Sequence, residues 1–133
     1  MYSPMLHLKS VHHIAIICSD YAKSKDFYTR ILGFEVMSEA YRFERDSYKL
    51  DLLLGGRYVI ELFSFPNPPQ RVSRPEAAGL RHLAFEVDNL DEAVASLLSN
   101  DVIPEPIRID EYTGRRFTFF FDPDNLPLEL YEA

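Results

Sequence analysis

Cysteine and long apolar runs are scarce in this chain of 133 residues, and each shortage excludes a class of protein. The one cysteine, Cys18, has no partner for an internal disulfide, which favours a reducing compartment. No stretch approaches the roughly 20 consecutive apolar residues that cross a bilayer, and the first ten residues lack a long apolar run, so membrane insertion and secretion are both disfavoured. We therefore expect a cytoplasmic protein in which Cys18 is a small buried thiol without a catalytic role.

Basic residues are outnumbered in this chain. It carries 14 Lys and Arg against 21 Asp and Glu, which gives a formal net charge of −7. A negative charge opposes sequence-independent binding to nucleic acid or to anionic membranes. Hydrophobic residues at 47% and charged residues at 26% are close to globular averages. We expect a single folded domain over residues 1–133, with a small molecule as its partner and neither nucleic acid nor membrane.

The predicted elements repeat once along the chain, as two units of strand, helix and three strands. In the first unit Asp20 caps a helix over residues 21–32 and Gly33 ends it; in the second, Asn89 caps a helix that begins at residue 90 and Asn100 ends it. The predicted strands cover residues 13–17, 34–37, 48–54 and 58–63, and then residues 82–87, 102–109, 116–121 and 126–131.

Prolines mark the connection between the two units. Four of them fall within residues 66–79, among polar residues, which predicts an irregular connector that joins neither sheet. The boundaries that follow are module one at about residues 8–65, a linker at about 66–79 and module two at about 80–132.

Two histidines and two glutamates stand at matching places in the two modules. His13 and Glu61 are 48 residues apart (61 − 13), and His82 and Glu129 are 47 apart (129 − 82). Each glutamate sits in a late strand among large apolar residues, where packing alone disfavours a carboxylate. We interpret the quartet as the ligands of one divalent transition metal ion, Zn²⁺, Ni²⁺, Fe²⁺, Co²⁺ or Mn²⁺. The alternative for each glutamate is an ion pair with a buried arginine.

The same pattern suggests which side chains would act on a substrate. Strand alternation places His13 on one face and His12 on the other, and we select His13 because it matches His82. Four protein ligands leave room in a larger coordination shell for a chelating substrate. One carboxylate of Glu61 and Glu129, with Glu129 favoured, would then take a proton from the carbon beside a carbonyl while the metal stabilises the enediolate.

The residues around the quartet resemble the vicinal oxygen chelate superfamily, and within it the glyoxalase I-like branch. The matching segments are residues 13–16, 26–28, 31–34, 60–62, 81–85, 121–124 and 128–130. The resemblance implies an α+β fold in which paired βαβββ modules form a curved mixed sheet around a metal site, often shared across a homodimer. It also maps the family's four metal ligands onto His13, Glu61, His82 and Glu129.

The resemblance implies a lyase or isomerase similar to lactoylglutathione lyase, acting on a small carbonyl compound or a thiol adduct. Two alternatives stay open: a thiol transferase or dioxygenase, which in this superfamily usually lacks the carboxylate corresponding to Glu61, and a binding protein without catalysis. Glutathione contacts of bacterial glyoxalase I fall on Ile17 and Phe65 here, so a different 2-oxo or 2-hydroxy substrate is a contender. Arg115 and Arg116 are candidates for binding its anionic group, or form a solvated turn.

Overall fold

The computed structural model describes residues 4–133 and contains the order strand, helix and three strands twice. The strands are β1 (Ile14–Cys18), β2 (Glu35–Arg42), β3 (Ser47–Leu54), β4 (Arg57–Ser64), β5 (Leu83–Val87), β6 (Arg108–Ile109), β7 (Arg116–Phe121) and β8 (Pro127–Glu132). The helices are α1 (Tyr21–Asp26), which continues as a π-helical segment (Phe27–Ile31), and α2 (Leu90–Ser99), with a 3-10 turn at Phe43–Arg45. The predicted pair of βαβββ units is confirmed.

Each unit forms its own four-stranded mixed sheet. The strand orders are β1-β4-β3-β2 and β5-β8-β7-β6. In both sheets the first strand runs parallel to the last strand of its unit, and the other neighbours are antiparallel. The registers also agree, because Ala15 lies opposite Glu61 and Ala84 lies opposite Glu129. The two glutamates therefore occupy equivalent positions of the repeat.

Strand alternation separates the core from the opposite face of each sheet. Ile60 and Leu62 on β4, and Leu128 on β8, are fully buried. Since neighbouring residues of a strand point to opposite faces, Glu61 and Glu129 lie on the faces turned away from this core. Those faces are only partly buried within one chain.

The core itself joins the two units. The Phe27 and Phe120 ring centroids are 6.3 Å apart, and those of Phe34 and Phe85 are 5.8 Å apart. Cys18 also lies in this core, and burial raises the pKa of its thiol to about 11, so the group is protonated at neutral pH. The prediction of a buried thiol is confirmed.

The helix boundaries were partly predicted. The Asp20 side chain accepts from the Lys23 N–H at 3.1 Å, and Asn89 caps α2 in the same way. The predicted helix over 21–32 is α-helical only as far as Asp26, because the chain then widens into π turns, with Leu32 N–H donating to Phe27 O at 3.0 Å. Asn100 is the C-cap of α2, whereas the left-handed residue is Asp101, with φ +60°.

The strand predicted over 102–109 is wrong for most of its length. Only Arg108 and Ile109 pair with β7. Pro104 and Pro106 have no N–H to donate to a strand ladder, and between them only the Glu105 N–H donates to β7, to Phe119 O at 2.8 Å. Conversely, the strand predicted at 34–37 extends to Arg42, because residues 38–42 pair with β3 along their whole length.

Residues 65–82 form neither helix nor strand, as the proline content predicted. In the part of the chain that is described, no helix combines the length and apolar character needed to cross a membrane.

Candidate metal centre

Each sheet brings one predicted histidine to its predicted glutamate. The distance from His13 Nε2 to Glu61 Oε1 is 3.6 Å, and that from His82 Nε2 to Glu129 Oε1 is also 3.6 Å. The histidine side chains are 35% and 31% exposed, and the glutamates 16% and 15%, so both pairs are open to solvent to the same degree. The cause is shared: each histidine directly precedes a strand that lies parallel to the strand of its glutamate.

The two pairs do not meet within one chain. Among residues 4–133 no three His, Cys, Asp or Glu side chains are close enough together to hold a metal ion. We call His13 with Glu61 the first half-site and His82 with Glu129 the second half-site. A single chain thus presents two separate His–Glu pairs.

A polar network surrounds the carboxylate of the first half-site. Lys49 Nζ lies 2.7 Å from Asp51 Oδ2 and 3.5 Å from Glu61 Oε2, and Tyr58 Oη lies 2.8 Å from Asp51 Oδ1 and 3.3 Å from Glu61 Oε2. Burial alone would raise the pKa of Asp51, but hydrogen bonds from Lys49, Ser38 and Tyr58 outweigh it and lower this pKa below 3.8. Asp51 therefore stays ionised and holds the Lys49 ammonium beside Glu61.

The sequence contained a signal for this network that we did not use. Lys49 and Asp51 alternate with buried leucines on β3, so they share the face of Glu61, and Asp51 lies directly opposite Glu61 in the register. A polar residue at every second position of an otherwise apolar strand predicts one polar face, and that face is the one on which Glu61 lies.

His12 lies against His13, although alternation predicted opposite faces. The two Nδ1 atoms are 2.8 Å apart, and the His13 ring stacks on Tyr58 with centroids 5.1 Å apart. Both histidines precede β1, where the two-residue period does not apply. If His13 Nδ1 carries the shared proton and donates it to His12, His13 Nε2 keeps its lone pair for a metal.

The second half-site is aromatic where the first is charged. Phe119 lies opposite Glu129, as Asp51 does opposite Glu61, and Phe117 takes the place that corresponds to Lys49. The His82 and Phe119 rings meet edge to face, with centroids 5.0 Å apart. Among residues 4–133, His82 is the one charged or hydrogen-bonding side chain found at the Glu129 carboxylate. Glu129 is consequently held less firmly than Glu61.

The two arginines predicted to bind an anion do not line either half-site. Arg116 is occupied, because its Nη2 lies 2.9 Å from both Asp91 Oδ2 and Glu132 Oε2. Arg115 is exposed in the turn before β7. Four other arginines lie closer: Arg71, Arg74, Arg81 and Arg108 surround a cavity that also has His82 in its wall. This cavity was not predicted.

Repeated βαβββ units that each present one imidazole and one carboxylate define a glyoxalase-like protein. The family model described as the Glyoxalase/Bleomycin resistance protein/Dioxygenase superfamily matches residues 10–130, and the chain belongs to that superfamily.

Two bacterial proteins are similar over nearly the whole chain. YwkD of Bacillus subtilis is 70% identical over 125 residues, covering 94% of this chain and 98% of that protein. YaeR of Escherichia coli is 69% identical over 128 residues, covering 96% and 99%. The crystal structure of a glyoxalase family protein from Enterococcus faecalis superimposes with a TM-score of 0.88 at 50% identity, covering 93% of this chain and 98% of that one.

More distant similarities reach proteins with named activities. A 2-epi-5-epi-valiolone epimerase from Actinomyces sp. is 30% identical, covering 91% of this chain and 78% of the epimerase. The fosfomycin resistance protein FosX of Listeria monocytogenes, solved as a mutant in complex with Mn(II), shares the fold with a TM-score of 0.74 at 22% identity, covering 96% and 94%.

Proposed function

We propose that this protein is a metal-dependent isomerase or lyase of glyoxalase I type that moves a proton on a small carbonyl compound or its thiol adduct. One observation carries the proposal: two His–Glu pairs with the same 3.6 Å separation lie at equivalent positions of the two units. The Actinomyces relative supports it, because an epimerase inverts a carbon centre, which proton removal and return can achieve.

The donor set fits one divalent transition metal ion. His13 and His82 would supply imidazole nitrogens, and Glu61 and Glu129 carboxylate oxygens, which is the chemistry such ions prefer. The Mn(II) in FosX is consistent with this choice. A bound ion would supply positive charge opposite a substrate oxygen that becomes negative during reaction.

We further propose that the quartet is completed in a homodimer, with the first half-site of one copy facing the second half-site of the other. The two half-sites do not converge within residues 4–133 of one chain. Apolar side chains also lie exposed just before His13: Met5, Leu6, Leu8 and Val11 are at least 73% exposed. A second copy that covers this segment would remove them from water.

The surroundings of the two carboxylates assign them different roles in the proposal. Glu61 has the Lys49 ammonium at 3.5 Å and the Tyr58 hydroxyl at 3.3 Å, which hold it in place as a ligand. Glu129 lies opposite Phe119 and has His82 as its neighbour, so its carboxylate is freer to move. Glu129 would take the proton from the carbon beside the carbonyl and return it to the neighbouring carbon.

Metal removal and reconstitution test the proposal. Purified protein is analysed for metal, stripped with a chelator, reloaded with Ni²⁺, Zn²⁺, Fe²⁺, Co²⁺ or Mn²⁺, and assayed with methylglyoxal plus glutathione and with other 2-oxo and 2-hydroxy compounds. We expect turnover to depend on the metal. Turnover by the stripped protein, or failure of the protein to bind any of the five ions, would contradict the proposal.

The variant Glu129→Gln tests the role of Glu129 as a base separately from its role as a metal ligand. This variant should lose about 10²–10⁴-fold in kcat, the usual contribution of a general base, while it retains metal through the amide oxygen. Glu86→Gln is the matched control, since Glu86 is exposed on the same sheet. Full turnover in Glu129→Gln would remove Glu129 as the base. Turnover that survives in Glu61→Ala would instead favour a thiol transferase or dioxygenase.

A further inference from the structure

A cavity of about 220 Å³ opens beside His82 and is walled by the linker, by β7 and by the segment before it. Its charged lining consists of Arg71, Arg74, Arg81 and Arg108 against Glu76 and Glu105, a balance of +2 (4 − 2). The chain as a whole carries −7, so this concentration of positive charge runs against the rest of the molecule. We call this space the arginine cavity.

The linker is fastened so that it contributes to the arginine cavity. The Arg71 guanidinium donates to Ser73 Oγ at 2.9 Å, Leu80 O at 2.6 Å and Arg81 O at 2.9 Å. All three acceptors are neutral, so none of these hydrogen bonds pairs Arg71 with a carboxylate. These bonds fold residues 71–77 over the start of β5, close to His82.

The remaining guanidiniums are available to a ligand to different degrees. Arg108 Nη2 lies 3.3 Å from Glu105 Oε1, and its guanidinium carbon lies 5.1 Å from the Phe117 ring centroid. Within residues 4–133 the side chains of Arg74 and Arg81 have neither an ion pair nor a hydrogen bond. Two unpaired guanidiniums in one cavity are an arrangement that binds a carboxylate or a phosphate, because their planar N–H groups match two oxygens at once.

Position and size indicate what such an anion would belong to. His82 lines the arginine cavity and is also 3.6 Å from Glu129, so an anion held there would sit next to the second half-site. The volume is below the roughly 300–1,000 Å³ of pockets that enclose drug-sized ligands, which suits one small charged group.

We propose that the arginine cavity binds the anionic group, a carboxylate or a phosphate, of the substrate that reacts at His82 and Glu129. This inference rests on the proposed function and narrows it, because the substrate becomes a small anionic carbonyl or hydroxy compound.

Calorimetric titration of the stripped protein at low ionic strength tests the inference, with inorganic phosphate in one arm and acetate in the other. We expect saturable binding in at least one arm, and the tighter arm identifies the anion. The double variant Arg74→Gln with Arg81→Gln should bind that anion at least about tenfold more weakly, because charge-assisted hydrogen bonds are lost. Arg45→Gln with Arg57→Gln is the matched control: both arginines are exposed, neither lines the cavity, and the net charge changes equally.

The outcomes separate this inference from the proposed function, since the metal content of every variant is measured in parallel. If the wild type binds metal but shows no saturable binding of phosphate or acetate, the inference about the arginine cavity is overturned and the proposed function is not. Equal anion affinity in the two double variants would overturn it as well. Anion binding that depends on Arg74 and Arg81 in a protein that takes up no metal would support the cavity and contradict the proposed function.

Discussion

At the scale of single residues, Tyr28 and Asp122 form a buried link between the two units. The Tyr28 hydroxyl donates to Asp122 Oδ2 at 2.7 Å, and Asp122 Oδ1 accepts from Asp124 N–H at 2.8 Å and Leu126 N–H at 2.9 Å. Tyr28→Phe leaves a buried carboxylate short of one donor, so the free energy of unfolding should fall by about 1–3 kcal/mol in urea titrations. Tyr112→Phe, at a tyrosine that is 90% exposed, should change it little. Equal effects would show that the link is not stabilising.

Asp122 also predicts a dependence of stability on pH. Burial raises the pKa of this carboxyl above 3.8, although its hydrogen bonds act in the opposite direction. Between 3.8 and the folded-state pKa the folded protein binds more protons than the unfolded chain, so this group lowers stability as pH rises through that window. Asp122→Asn has no titrating group there. The stability of the wild type relative to Asp122→Asn should therefore decrease as the pH rises from below 3.8 through the raised pKa of Asp122, measured by urea unfolding at each pH. A constant difference would contradict the raised pKa.

At the scale of elements, the two helix caps are equivalent and independently testable. Asp20 and Asn89 each accept one backbone N–H of the first turn, at 3.1 and 3.0 Å. Asp20→Ala and Asn89→Ala should each lower the free energy of unfolding by about 1 kcal/mol. Asp20→Asn should lower it much less, because the asparagine side chain still offers an oxygen that accepts the hydrogen bond. If Asp20→Asn lowers the free energy of unfolding as much as Asp20→Ala does, the hydrogen-bond acceptor is not what stabilises α1.

The caps and ends of the helices are features that could be predicted from the sequence. Caps and glycine stops depend on a few adjacent residues, and Gly33 indeed ends the first helix with φ +83°. The repeat of spacing was enough to pair His13 with Glu61 and His82 with Glu129. The π-helical widening after Asp26 was not predictable from local pattern, because it serves to pack Phe27 and Tyr28 against the other unit.

The way in which separate segments of the chain fold back on one another also could not be predicted from local sequence patterns. The linker was correctly predicted to be irregular, but nothing in its sequence shows that it folds back to place Arg74 near His82. The prediction of a strand over 102–109 was wrong for a local reason, because Pro104 and Pro106 lie within that segment and cannot donate to a strand ladder. The arginine cavity was missed because it brings together the linker, the start of β5 and the segment before β7, which the periodicity of any one element does not predict.

At the scale of the whole molecule, the two half-sites share one geometry but differ in the side chains that surround them. Both half-sites hold an imidazole 3.6 Å from a carboxylate, yet one is surrounded by Lys49 and Asp51 and the other by Phe117 and Phe119. A single metal shared between unlike half-sites would have one carboxylate that is fixed and one that is free. This difference is what a ligand set needs if one member is also to carry a proton.

Subunit complementation tests whether the half-sites meet across a dimer. His13→Ala removes a ligand of the first half-site and His82→Ala one of the second, so neither protein alone should retain metal tightly during dialysis against a chelator. In a two-fold dimer a mixed pair contains one intact quartet, and random exchange of equal amounts should restore about a quarter of the wild-type metal content. Mixing His82→Ala with Glu129→Ala, both in the same half-site, should restore none. If the first mixture also restores none after subunit exchange is verified by mass, with one of the two variants labelled with ¹⁵N, the quartet is not shared between chains.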